Sequence, residues 1–170
     1  MIIRSIHEDD SENILSLYKK LDRETQFMLY EPHERITSVR EQRQIIRGIL
    51  SRNNQTIFVA EHENQLVGVL EALGGTFLRN RHCAYIVIGI LQAFAGQGLG
   101  TQFFQQLEDW AMQHDLHRLE LTVMRHNEAA VHLYQKMGFV IEGTRQDSLR
   151  VDGKYVDEYY MAKILGEWKK

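Results

Sequence analysis

Only one cysteine, Cys83, and one proline, Pro32, occur among the 170 residues. A lone cysteine excludes an internal disulfide, and without a partner at ligand spacing it offers no cysteine metal centre, so no metal is expected. Long apolar runs are missing too, and the opening "MIIRSIHEDD" soon turns acidic. Neither a signal peptide nor a membrane span is expected, and the expected location is cytoplasmic. There is no basic excess: 20 Lys and Arg stand against 23 Asp and Glu, a formal net charge of −3 with the two signs interleaved. That lacks the positive field of many nucleic-acid binders, so no nucleic-acid or membrane partner is expected. Repeats, low-complexity tracts and linkers are also lacking. What is present, 44% apolar and 25% charged residues, is the composition of a globular chain, read as one domain over residues 1–170.

Periodicity orders the elements. "IIRSI" alternates as a strand, and the acidic "HEDDSE" leads into Ile14, Leu17, Tyr18 and Leu21 at helical spacing. Residues 22–36 have mixed periodicity and read as a loop, after which Ser38 and Glu41 form a capping box for a helix to about Leu50. "TIFVAE" and "LVGVLEAL" flank the turn "HENQ" as a hairpin, and "CAYIVIGILQAF" reads as one continuous buried strand. Leu99, Phe103, Leu107, Trp110 and Ala111 then define one helical face. A strand, "HRLELTVM", precedes the helix "NEAAVHLYQKMGF", with Asn127 as N-cap and Gly138 past its end. Two antiparallel strands around "VDGK" complete the order β-α-α-β-β-β-α-β-α-β-β, a mixed α/β (α+β) fold.

Three glycines, Gly96, Gly98 and Gly100, crowd the start of a helix that directly follows a strand. Free N–H groups and the helix dipole make such a terminus a site for an anion, and glycine lets a phosphate oxygen touch the backbone. The nucleotide P-loop needs Gly-Lys-Ser/Thr, but Thr101 follows Gly100 with no lysine between. Dinucleotide binding needs G-x-G-x-x-G early in a βαβ unit, whereas the spacing here is G-x-G-x-G after several elements. A pyrophosphate loop of the acyl-coenzyme A transferase kind fits "AGQGLG"; a tight turn before a glycine-tolerant helix fits it as well. In the later helix, Ala130, Leu133, Tyr134 and Met137 share one face with Asn127 two turns ahead of Tyr134. A helix cap and a core aromatic would explain those two residues individually.

Taken together, "QAFAGQGLGTQFFQQLEDWA" and "NEAAVHLYQKMGF", with the hairpin that follows, resemble the GNAT superfamily of N-acetyltransferases over nearly the whole chain. The tail ending "DGKYVDEYYMAKIL" is most similar to bacterial members that acetylate small amines, amino acids or ribosomal-protein N-termini. The resemblance implies a central, mostly antiparallel mixed sheet flanked by helices, with acetyl-coenzyme A as cosubstrate. Cofactor contacts would come from Ile88, Gly89, Ile90 and Leu91 on the strand, from Ala95, Gly96, Gln97, Gly98, Leu99, Gly100 and Thr101 in the loop, and from Asn127, Ala130, Tyr134 and Lys136. One departure stands out: the family usually carries arginine or glutamine where this chain has Ala95, which implies a weaker hold on the pyrophosphate.

By the same resemblance an amine attacks the thioester directly, and Tyr134, with an ordinary pKa of about 10, protonates the leaving thiolate. A retained Tyr134 favours catalysis over a coenzyme A sensor that has lost it. Relatives often place a glutamate on the strand before the glycines, yet "AYIVIGILQ" has no acid. Glu71 and Glu120, on neighbouring strands, read first as exposed carboxylates and second as bases acting through water. Without a strong base, an amine of pKa near 7.8, about a tenth neutral at pH 7, is an easier nucleophile than one near 10.4. The acceptor, a small amine or amino acid or alternatively a protein N-terminus, would be walled by the loop with Tyr30, Glu31 and Glu34 and by the hairpin with Arg145 and Arg150. Exposed edge strands together with the resemblance imply a homodimer.

Overall fold

The computed structural model describes residues 1–166 and contains one seven-stranded sheet, in the order β1-β2-β3-β4-β5-β7-β6. Its strands are β1 (Ile2–Ser5), β2 (Gln55–His62), β3 (Gln65–Gly74), β4 (Cys83–Ile90), β5 (Arg118–Met124), β6 (Val140–Val151) and β7 (Lys154–Ile164). Its helices are α1 (Ser11–Glu24), α2 (Val39–Leu50), α3 (Leu99–Gln113) and α4 (Glu128–Lys136). The element order agrees with the sequence reading; residues 167–170, part of the single domain read there, lie outside the described residues. Among the described residues no helix is long and apolar enough to cross a membrane.

Local chemistry explains the punctuation. Ser38 Oγ accepts from Glu41 N at 3.3 Å while the Glu41 carboxylate accepts from Ser38 N at 2.8 Å, a reciprocal cap for α2. Asn127 Oδ1 accepts from Ala130 N at 3.3 Å and starts α4. Glu63 and Asn64 turn β2 into β3, and Asp152 and Gly153 turn β6 into β7, all with positive φ, as two-residue hairpin turns of matching twist require.

Two boundaries differ from the sequence reading. The first helix runs on to Glu24, because Asp22 is buried against Arg35 rather than released into a loop. The apolar stretch after Cys83 is not one strand: β4 stops at Ile90, and residues 92–94 form a 3-10 turn. Gln92 fastens this turn to the end of α1, its N–H donating to Glu24 Oε2 at 3.0 Å and its side chain to Glu24 O at 2.8 Å.

Missing side chains report which helix covers which face. A Cβ on Gly68 of β3 would lie 3.1 Å from the Phe103 ring of α3, whereas one on Gly89 of β4 would lie 2.7 Å from Leu21 of α1. Alternation then assigns the even positions of β3 and β4 to the α3 face and the odd ones to the α1 face. Between them lies a core built on Leu70, Val69, Ile86, Phe103, Phe104, Leu107 and Leu119.

The sheet is antiparallel except at its centre. There β4 and β5 run parallel and pair only where residues 83–85 meet 118–120. Beyond that point β4 continues along β3 as far as Ile90, and β5 continues along β7 as far as Met124. The two strands part company, and the sheet forks.

Candidate active site

The fork leaves one strand edge without a partner. Leu91 N donates to Val67 O at 3.0 Å, which makes Leu91 a hydrogen-bonded position against β3. By the alternation of antiparallel ladders, Gly89 and Val87 also direct their backbone groups at β3, while Ile88 and Ile90 direct theirs into the fork. Of the four strand positions expected to touch a cofactor, Ile88 and Ile90 therefore offer free backbone groups. Gly89 and Leu91 are already paired. The missing side chain of Gly89 instead admits Leu21, with the Met28 sulfur 3.6 Å from where a Cβ would be.

Over the fork stands the N-terminus of α3. Its first intrahelical bond runs from Gln102 N to Gly98 O at 3.1 Å, so the amides of Leu99, Gly100 and Thr101 have no partner within the helix. Gly96 and Gly98 adopt φ of +73° and +82°, and nothing lies within 4 Å of the position a Cβ would take at either. That open backbone at a helix start suits a phosphate group. Lys136 on α4 brings its ammonium within 3.4 Å of Thr101 Oγ1 and adds a full positive charge. Ala95 is exposed and offers no side-chain donor, and Gln97 turns its amide back to Ala93 O at 2.9 Å. At Gly100 a Cβ would lie 2.6 Å from Leu133 Cδ2, so its smallness also serves the contact of α3 with α4, while its N–H stays available to an anion.

That contact carries Tyr134 inward. Its ring packs edge-on against Phe104, 5.7 Å between centroids, and tilted against Phe139 at 6.1 Å. Burial, with the Tyr85 phenol nearby, pushes the Tyr134 pKa well above its ordinary value and keeps the proton on the oxygen. Tyr85 in turn bonds Thr122 Oγ1 at 2.6 Å across the base of the fork. Ala130 is half-buried on the same helix, and Asn127 spends its Oδ1 on the cap.

The candidate acceptor residues behave differently from one another. Glu120 is held by Arg118 at 2.7 Å where β4 and β5 are still paired, away from the opening. Arg145 is paired with Glu158 at 3.0 Å and lies over the Tyr160 ring; Arg150 lies over Tyr155. Glu34 receives the Glu31 N–H at 2.8 Å within its own loop, both side chains being exposed. Glu71 corrects the expectation of an exposed strand carboxylate. It accepts a hydrogen bond from the Tyr18 hydroxyl, and burial raises its pKa, opposed by that bond and by Arg35. Arg35 lies between the Tyr18 and Tyr30 rings, 4.5 and 4.4 Å from their centroids, and binds both oxygens of buried Asp22 at 2.7 and 3.1 Å. Sequence reasoning missed Tyr18, Asp22 and Arg35 as site residues. Their only signal was an acid inside an apolar strand, which calls for buried partners.

Comparison with known proteins agrees with this geometry. Residues 14–139 match the acetyltransferase (GNAT) family. The L-amino acid N-acetyltransferase AaaT of Escherichia coli is 32% identical over 90 residues, 51% of this chain, and the match spans about half (54%) of that protein's length. Spermidine N(1)-acetyltransferase of E. coli is 25% identical over 157 residues, covering 90% of this chain and 80% of that one. A GNAT-family acetyltransferase from Streptococcus pneumoniae superposes with a TM-score of 0.93 at 29% identity, over 97% of this chain and 99% of that one. With the forked sheet, the glycine-started α3 and the matched residues in agreement, the chain belongs to the GNAT family of acetyltransferases.

Proposed function

We propose that this protein transfers the acetyl group of acetyl-coenzyme A to the primary amine of a small molecule or amino acid. The observation that carries this reading is the fork between β4 and β5, which opens directly beneath the free N-terminus of α3. When bound, acetyl-coenzyme A supplies an acetyl group activated as a thioester. The amides of Leu99, Gly100 and Thr101, with Lys136 Nζ beside them, would hold the pyrophosphate. Without a basic side chain at Ala95 the amides carry more of that task. The free backbone groups of Ile88 and Ile90 would orient the amide-bearing arm along the strand edge. The Ile90 N–H would donate to the acyl oxygen as negative charge develops there, a contribution worth about 10²-fold or more in rate. Tyr134 would hold at Oη the proton that the departing sulfur needs.

Release of free thiol from acetyl-coenzyme A, measured across simple amines, amino acids, polyamines and N-terminal peptides, tests the reading. Release with a small amine or amino acid is expected. Preference for the peptides would move the assignment to protein N-termini. Cofactor binding without release with any acceptor would make the protein a coenzyme A sensor. The exposed Val140 and Ile141 on edge strand β6 support the homodimer expected from sequence, and sedimentation velocity would measure it.

A further inference from the structure

Three carboxylates on the neighbouring strands already have a cation. Glu158 has Arg145, with the Ser148 hydroxyl donating to it at 2.8 Å. Glu120 and Glu142 share Arg118. Glu71 has no such pair. Its Oε1 takes the Tyr18 hydrogen bond, and its Oε2 takes none. No wholly buried side-chain oxygen among the described residues lacks a partner, so Oε2 is not sealed off completely. The register pairs Glu71 with Val87 on β4, one strand over and one residue along from the free edge group of Ile88.

Toward this carboxyl helix α1 presents Tyr18 and Asp22, the loop after it presents Tyr30 and Arg35, and β4 presents Tyr85 two residues along from Val87. On β2 the cross-strand partner is Ile57, and α2 turns the uncharged Gln42 and Ile46 inward. With Asp22 negative and Arg35 positive, an ionised Glu71 leaves the cluster one positive charge short. Arg35 has little freedom to drift toward Glu71, because it is forked onto Asp22 and stacked between two rings.

We infer that Glu71 Oε2 is the subsite that receives the acceptor as a protonated amine and removes its proton, and that Asp22 and Arg35 form a clasp that keeps Glu71 ionised and turned toward β4. The inference rests on the acetyl-transfer reading above. In the step, an ammonium N–H bond breaks, the proton forms an O–H bond to Oε2, and nitrogen keeps the electron pair that attacks. Glu71 then returns the proton to water. The substrate class changes accordingly: strongly basic amines, which are almost wholly protonated at pH 7, become suitable acceptors. Arg35 and Asp22 are positioning residues, acting only through Glu71.

Carbon-13 detection of the Glu71 carboxyl follows its titration directly and needs no turnover. Arg35→Met removes the cation, so the Glu71 midpoint should move to higher pH; Tyr18→Phe removes a hydrogen bond to the ionised form and should move it the same way. The acid limb of kcat/KM, where the base loses its charge, should follow the midpoint upward. Arg35→Lys should restore part of the shift. Glu71→Gln should lower kcat/KM for a basic amine by about 10²-fold and remove the limb. A Glu71 midpoint unmoved in folded Arg35→Met overturns the clasp, and a limb that survives in Glu71→Gln overturns the proton acceptor. Should Arg35→Met not fold, Arg35→Gln, which removes the charge and keeps a polar side chain between the rings, decides in its place. Absence of thiol release from the unmodified protein with every acceptor would defeat the acetyl-transfer reading instead, while the carboxyl titration would still report on the clasp.

Discussion

Tyr134 and Glu71 have shifted proton affinities for the same main reason, burial, with opposite consequences. For a phenol proposed to donate a proton, a raised pKa only guarantees that the proton is present. Tyr134→Phe keeps the contacts with Phe104 and Phe139 and removes one oxygen. It should cost roughly 10²-fold in kcat while leaving coenzyme A affinity within about twofold, measured by steady-state kinetics and titration calorimetry. A kcat that does not fall would make Tyr134 a core aromatic and nothing more. For a carboxyl proposed to act in its ionised form, a raised pKa costs stability. Its folded value lies above the unfolded one, so its contribution to stability is fully present below the unfolded value, near 4.3, and is lost as pH rises through the folded value. Glu71→Gln should therefore raise the melting temperature at pH 7 and leave it nearly unchanged at pH 4. Thermal unfolding at the two pH values checks this, and an equal shift at both would remove the link to ionisation.

At the scale of elements, the three glycines before and within α3 separate into two jobs that look identical in sequence. Gly98 is the cap of α3, left-handed at φ +82° with open space beyond. Gly98→Ala should cost about 1–2 kcal/mol of stability through backbone strain alone. Gly100 has helical backbone but Leu133 in the place of its side chain. Gly100→Ala should cost about 1–3 kcal/mol by displacing the Leu133 side chain and, through it, straining α4. Because α4 also carries Tyr134 and Lys136, it should weaken coenzyme A binding further. Urea unfolding of both variants, with cofactor titration of each, distinguishes them: equal cofactor affinities would mean that α4 does not move. Capping chemistry, turn residues and apolar spacing were legible because each acts over a few residues. The end of α1 and the end of β4 were not. Asp22 stays helical because Arg35, thirteen positions later, buries against it, and β4 ends where Glu24 of α1 grips Gln92.

For the whole molecule, a sheet that forks at its centre gives up hydrogen bonds that a continuous sheet would make. A ligand that supplies them should stabilise the fold as a unit. At a concentration 100 times its dissociation constant, coenzyme A would add about 2.7 kcal/mol, a rise in melting temperature of roughly 5–10 °C for a chain of this size. Adenosine triphosphate, which brings phosphates without the arm proposed to lie along β4, should raise it much less. Equal shifts from the two would mean that the fork is not used.

The order of elements, the glycine-started helix, the cap at Asn127 and the inward face of α4 were all determined by the sequence alone, because periodicity and capping are written in neighbouring residues. The fork had no sequence signature, since both of its strands read as ordinary apolar strands and only their divergence beyond Tyr85 and Glu120 opens it. Nor could sequence decide which carboxylate was free. Glu71 and Glu120 are equivalent by composition. Strand alternation alone puts Arg118 beside Glu120, two positions along, but only the packed structure brought Tyr18 and Arg35, from distant parts of the chain, around Glu71. Charge and solvation act through space, and that distance is set by tertiary structure.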